Sequence, residues 1–269
     1  MSKNKEQKVI YYSDEINDEF SDDSIKTITI DENYKYGEDS FWWNVKRFFW
    51  YRIITIPLSW AFLKIKYHHK IVGKEILKSM KHKPYFMYGN HTNQMGDPFI
   101  PGYVCDLVYI YAIVHANNVS IPFIGKRMKY IGAMPLPATI GATKNFMDYM
   151  KLRIEGNYPI VIYPEAHIWP YYTKIRPFLD LSFRYPVQYK LPAYCFTNTY
   201  QKRRFSKTPK IVTYIDGPFW PDENLSAKEQ KKDLRNKVYN AMVERSKNNN
   251  VELIKYIYKE KENNEVKND

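Results

Sequence analysis

The stretch Pro84-Tyr85-Phe86-Met87-Tyr88-Gly89-Asn90-His91-Thr92-Asn93-Gln94-Met95-Gly96-Asp97-Pro98 decides how this chain is read. Pro84 to Tyr88 is a short apolar run of the kind that forms a buried strand. Asp97 followed by Pro98 reads as a helix N-cap with proline at the first helical position. His91 therefore falls at a strand-to-helix junction, where the sites of α/β proteins gather. An imidazole titrates near neutral pH, and a carboxylate on its far nitrogen fixes the tautomer and stabilises the imidazolium, so His91 and Asp97 together are the minimum for a general base. The competing reading makes Asp97 a cap and nothing more.

Two further apolar runs end in chemistry-bearing residues: Tyr163-Pro164-Glu165-Ala166-His167, and Leu191-Pro192-Ala193-Tyr194. In their order and spacing, Asn90-His91 with Asp97 and these two segments resemble the motif blocks of the glycerolipid acyltransferase family, of which 1-acylglycerol-3-phosphate acyltransferase is the best-known member. The resemblance spans Pro84 to Thr197. It implies an O-acyltransferase of phospholipid biosynthesis in which His91 is the base, Asp97 its partner, and Glu165 shapes the acceptor site.

The sequence departs from the family in three places. The first block is usually Asn-His-x4-Asp, whereas five residues separate His91 from Asp97 here. On an ideal helix the extra residue turns the carboxylate by about 100°, and Gly96 is the expected place for a bulge that absorbs it. Gly132-Ala133-Met134-Pro135-Leu136-Pro137 has the glycine and prolines of the second block without its arginine; Lys126, Arg127 and Lys129 lie upstream instead. The third block keeps Pro164-Glu165 and lacks the glycine and arginine, with Lys174 and Arg176 following. The family is thought to hold the acceptor's phosphate with this missing charge. Lys126, Arg127, Lys174 and Arg176 are thus the expected phosphate ligands, and Asn90 and Thr92 the expected oxyanion donors.

Length and composition suit one large α/β domain: 269 residues, 44% hydrophobic and 26% charged. Cys105 and Cys195 offer neither a disulfide framework nor metal-ligand spacing. Met1 to Glu15 lacks the apolar core of a secretory signal, which implies a chain working on the cytoplasmic side. Residues 1–40 carry five lysines against eleven Asp and Glu, a net −6, so the remainder carries +18 and the whole chain +12. The expectation is an acidic, poorly ordered arm before a basic body that is drawn to polyanions.

From Phe41 to Tyr67 four tryptophans and other aromatics alternate with Lys46, Arg47, Arg52 and Lys64. That is the composition of a helix lying among lipid headgroups. Pro57 interrupts the apolar run, which is too short to cross about 30 Å of hydrocarbon. The expected organisation is an arm at 1–40, a membrane-interfacial helical segment at 41–67, an acyltransferase-like α/β domain at 68–258 with a largely parallel or mixed twisted sheet flanked by helices, and a disordered tail at 259–269. Strands are expected at Lys70–Val72, Tyr85–Tyr88, Leu107–Ala112, Pro159–Tyr163, Ala193–Phe196 and Ile211–Ile215. Helices are expected over Thr139–Glu155 and after the capping box formed by Ser226 and Glu229.

The resulting function is transfer of a fatty acyl group from acyl-CoA or an acyl-carrier protein thioester to a hydroxyl of a lysophospholipid. It needs no bound cofactor or metal, takes membrane lipids as partners, involves no nucleic acid, and takes place at the cytoplasmic face of a membrane. Two alternatives stay open. A metal-dependent hydrolase would use His91, Asp97, His115, Glu165 and His167, although no His-Glu-x-x-His run is present. A non-catalytic membrane or RNA binder would use the basic surface and the 25 tyrosines. A serine hydrolase is disfavoured because no Gly-x-Ser-x-Gly elbow appears.

Overall fold

The computed structural model describes residues 7–20 and 25–260. In chain order the elements are β1 (Lys8–Tyr12), α1 (Phe41–Phe48), α2 (Ile56–Trp60), β2 (Lys70–Val72), β3 (Phe86–Gly89), α3 (Ile100–Val104), β4 (Tyr111–Val114), α4 (Ala116–Ser120), α5 (Gly125–Met128), β5 (Ala133–Pro135), α6 (Ile140–Glu155), β6 (Ile160–Ile162), α7 (Arg184–Tyr189), β7 (Ala193–Arg203), β8 (Ser206–Phe219), α8 (Ala227–Ser246) and β9 (Ile254–Tyr258). Seven strands form one sheet in the order β2-β8-β7-β3-β6-β4-β5. All neighbours are parallel except β7 and β8. The sheet is mixed, with helices on both faces.

The continuous apolar character of the central strands follows from this layering, since successive side chains point to opposite faces and both faces are covered. Phe86, Tyr88, Ile160 and Ile162 pack with Phe146, Met150 and Ile154 of α6 and with Leu234, Val238 and Met242 of α8. Met87 and Val161, one residue out of phase, face the opposite layer with Leu63, Ile100 and Val104. The α6 stripe at a spacing of four behaves as its sequence requires, with Thr139 capping its N-terminus. The Ser226–Glu229 capping box opens α8.

Four expectations need correction. The described part of the arm is not loose: β1 pairs in parallel with β9 over five residues, and Ile30 and Tyr36 are buried in the main core. Its acidic composition masked a few apolar side chains that find partners far along the chain. The third expected strand begins later, at Tyr111, because Asp106 and Leu107 both take left-handed backbone angles that end extended pairing. Strands β7 and β8 run well past their apolar stretches, since the buried polar residues Thr197, Asn198, Thr199 and Thr213 continue the ladder. Asp97 caps no helix, for α3 starts three residues later with Phe99 at its N-cap. Residues 261–269 of the expected tail lie outside the described residues.

Between α1 and α2, Phe49–Thr55 is π-helical, and so is Ala61–Lys66 after α2, making one continuous helical segment from Phe41 to Lys66. Trp43, Arg47, Tyr51 and Leu63 turn inward against the protein. Phe41, Trp42, Phe48, Leu58, Trp60 and Ile65 are exposed on the other side. Among the described residues no helix is long and apolar enough to cross a membrane.

Candidate active site

Strand β3 delivers His91, and the residues around it explain how the chain leaves the sheet. Gly89 is the last strand residue, and a Cβ there would lie 2.1 Å from the Phe196 ring of β7, so only glycine permits the approach. Asn90 then extends the pairing with its side chain: Oδ1 accepts from the Asn198 N–H at 2.8 Å and Nδ2 donates to the Asn198 carbonyl at 3.1 Å. The amide imitates one more strand residue while the backbone turns away. Asn198 Oδ1 in turn accepts from Thr213 Oγ1 at 2.7 Å, and that hydroxyl contacts His69 Nε2 at 2.8 Å.

His91 is fixed on three sides. Nδ1 donates to Asp97 Oδ2 at 2.8 Å. The ring stacks on Tyr163 at 4.4 Å, and the backbone N–H donates to Glu165 Oε2 at 2.9 Å. With Nδ1 engaged, Nε2 is the nitrogen left to take a proton, and 18% of the side chain is exposed. Asp97 is almost fully buried. Burial pushes its carboxyl above the usual range, and the bonds from the His91 ring and the Asn93 N–H at 2.9 Å pull it back.

The five-residue spacing closes through a helical turn rather than a bulge. The Asp97 N–H donates to the Asn93 carbonyl at 2.8 Å, and the Gly96 N–H to Asn93 Oδ1 at 2.8 Å. Gly96 needs no left-handed angle. Space is tight there, since a Cβ would sit 3.0 Å from Asn93 Cγ.

The other expected site residues fall into two groups. Asn90 and Thr92 are spent on the scaffold, Thr92 Oγ1 lying 2.9 Å from the Tyr200 hydroxyl, so neither is a free oxyanion donor. Glu165 is buried and joins the His91 N–H to Arg176, whose N–H donates to Oε1 at 3.0 Å and whose Nη2 lies 3.5 Å from Oε2. Arg176 is itself wholly buried, over Trp169 at 4.9 Å and donating to the Glu15 carbonyl at 3.3 Å. An arginine committed in this way holds a loop. Lys174, Lys126 and Arg127 are exposed; the last two lie on α5, where Arg127 covers Trp50 at 5.1 Å.

Sequence reasoning missed the roles of Asn198, Tyr163 and Glu19. The Tyr163 hydroxyl donates to the Asp97 carbonyl at 2.6 Å, and Glu19 Oε2 lies 2.6 Å from His167 Nδ1. The residue types carried no signal for either contact. Among the described residues no group of three or more His, Cys, Asp or Glu is arranged to hold an ion, and His115 caps α4. Cys105 is buried and its thiol pushed up to about 12 by that burial, which disqualifies it as a nucleophile.

A histidine held by a buried carboxylate at the end of a central parallel strand is the arrangement the sequence motifs implied, and residues 68–195 match the family model described as Acyltransferase. That segment of the chain is an acyltransferase-like domain. The acyltransferase domain therefore contains β2 to the start of β7, with His91, Asp97 and Glu165 inside it. Comparison with curated proteins gives no match. Among solved structures the fold is similar to that of the 1-acyl-sn-glycerophosphate (LPA) acyltransferase PlsC from Thermotoga maritima, with 18% identity, a TM-score of 0.50, and coverage of 68% of this chain and 73% of that one.

Proposed function

We propose that this acyltransferase moves a fatty acyl group from a thioester of coenzyme A or acyl-carrier protein to a hydroxyl of a lysophospholipid, with 1-acylglycerol-3-phosphate as the first acceptor to test. The observation that carries the reading is the His91–Asp97 pair, its Nδ1 engaged and its far edge open. His91 Nε2 takes the acceptor's proton as the oxygen attacks the thioester carbonyl. The tetrahedral adduct then collapses, the carbon–sulfur bond breaks, and the proton passes to the departing thiolate. Asp97 stabilises the imidazolium in between. Such a base contributes about 10²- to 10⁴-fold, leaving the larger share to positioning. The choice of 1-acylglycerol-3-phosphate follows the activity for which the Thermotoga maritima protein is named.

The same proposal places the enzyme on a lipid surface, at the cytoplasmic face. The two-sided helical segment Phe41–Lys66 supports this: one face packs on the protein, the other exposes aromatic side chains, and no acidic residue interrupts it.

Purified protein is incubated with labelled long-chain acyl thioesters and a panel of lysophosphatidate, other lysophospholipids, glycerol phosphate and neutral alcohols, and the products are read by mass spectrometry. Transfer to lysophosphatidate that vanishes in His91→Ala supports the reading. Equal acylation of a neutral alcohol replaces the acceptor, and absence of transfer to every acceptor overturns the activity. For the membrane part, replacing Phe41, Trp42 and Phe48 with serine should abolish sedimentation with anionic vesicles. Unchanged sedimentation would move the anchor elsewhere.

A further inference from the structure

Phe123 combines two features that seldom coincide. Its side chain is 91% exposed, and its backbone sits at φ +62°, a region that bulky residues avoid. The Ile124 N–H donates to the Pro122 carbonyl at 2.7 Å, closing a three-residue turn with Phe123 at the centre, and the Gly125 N–H donates to the Ile121 carbonyl at 2.7 Å. Gly125 makes the turn this tight, for a Cβ there would lie 2.2 Å from the Val119 carbonyl oxygen. The chain is squeezed outward, and Ile124 is exposed beside Phe123. Strain of this kind persists where the surrounding structure imposes it, as at sites that work.

The surroundings of this tip indicate its partner. Arg127 Nη1 donates to the Phe123 carbonyl while the same guanidinium covers Trp50. Lys129 Nζ lies 5.2 Å from the Trp43 ring, which packs on Tyr130 at 4.6 Å. The tip is therefore seated against the Phe41–Lys66 segment, whose outer face carries Trp42, Phe48 and Phe49. From Ile121 to Ile131 the chain holds Lys126, Arg127 and Lys129 and no acidic residue, and none of the three makes an ion pair among the described residues. Two apolar side chains at an exposed tip with a basic collar fit an anionic lipid surface, where acyl chains take the first and headgroup phosphates the second.

We propose that Pro122–Ile124 is a second membrane-inserting element of this enzyme. The proposal rests on the reading of Phe41–Lys66 as an interfacial anchor and extends it: a helical line of contact leaves rotation about its own axis free, and a loop contact beside it removes that freedom. Lys126 and Arg127, expected from sequence to grip the acceptor's phosphate, then meet the phosphates of the bilayer.

The test uses Phe123→Cys and, separately, Leu58→Cys on the anchor, each carrying an environment-sensitive fluorophore in the full chain. Cys105 and Cys195 are buried and stay unlabelled. With vesicles of phosphatidylcholine and phosphatidylglycerol, both labels should shift to the blue and be quenched by brominated acyl chains. Phe123→Ser with Ile124→Ser should weaken vesicle binding by roughly tenfold or more at an unchanged melting temperature, the scale set by withdrawing two large apolar side chains from lipid. A label at 123 that keeps its aqueous spectrum while the label at 58 shifts would overturn the loop contact and leave the anchor standing. If neither label responds, both readings fall.

Discussion

His91 Nδ1 and Asp97 Oδ2 lie 2.8 Å apart although five residues separate them, because the chain from Asn93 to Asp97 makes one helical turn that swings the carboxylate back under the ring. His91→Ala should lower acyl transfer by about 10²- to 10⁴-fold with the melting temperature little changed. Asp97→Asn should cost less in rate, since the base survives while its tautomer and charge stabilisation do not. Rate and melting temperature measured together separate this from a purely structural carboxylate, which would lower the second and spare the first.

Glu165 and Arg176 form a buried pair whose loss is structural. Arg176→Ala leaves the carboxylate without its cation, and breaking such a pair costs about 3–5 kcal/mol. The expected result is a large fall in melting temperature, with KM for acceptor and acyl donor altered alike. Arg176→Lys should not restore stability, because an ammonium cannot make the guanidinium's several directed contacts. A selective rise in KM for a phosphate-bearing acceptor in a fully stable variant would return Arg176 to the substrate site.

Much of the fold was legible because the central strands are apolar on both faces and α6 and α8 carry a clean stripe at helical spacing. Thr197-Asn198-Thr199 hid the continuation of β7, as polar residues announce a loop unless something buried satisfies them, and their partners Asn90 and Thr213 are distant in sequence. Strand β5, only Ala133-Met134-Pro135, is too short for periodicity to register. At the site, motif order pointed to His91, Asp97 and Glu165, which the fold brings together, whereas the pairing of Arg176 with Glu165 was not legible: residue type suggests an anion partner, and only tertiary burial reveals that Glu165 is one.

The N-terminal strand is coupled to the site through Trp169. Tyr12 and Phe20 pack on this fully buried ring at 4.9 and 5.1 Å, and its Nε1 donates to the Asp18 carbonyl at 2.8 Å. Its backbone N–H donates to the His91 carbonyl at 3.2 Å. Tyr12→Ala with Phe20→Ala should lower the melting temperature and reduce kcat at temperatures where the variant is folded, while vesicle binding is unaffected. Wild-type kcat in a destabilised variant would show that the strand braces the fold without touching the geometry of His91.

His69 supplies the pH dependence of stability. It is buried with Nε2 on Thr213 and Nδ1 without a partner among the described residues, and burial, with Lys64 and Lys74 adding to it, lowers its pKa from 6.5 to about 4. The unfolded chain takes up this proton near pH 6.5 and the folded one only near 4. The contribution to stability is therefore complete above 6.5 and is lost as the pH falls toward 4. It amounts to about 3 kcal/mol for a shift of this size. His69→Gln retains a donor for Thr213 and cannot titrate, so denaturant unfolding between pH 7 and 4 should give a flatter curve for the variant than for wild type. Parallel curves would mean that His69 titrates at the same pH in the folded and unfolded chain and that carboxylates alone set the acid limb.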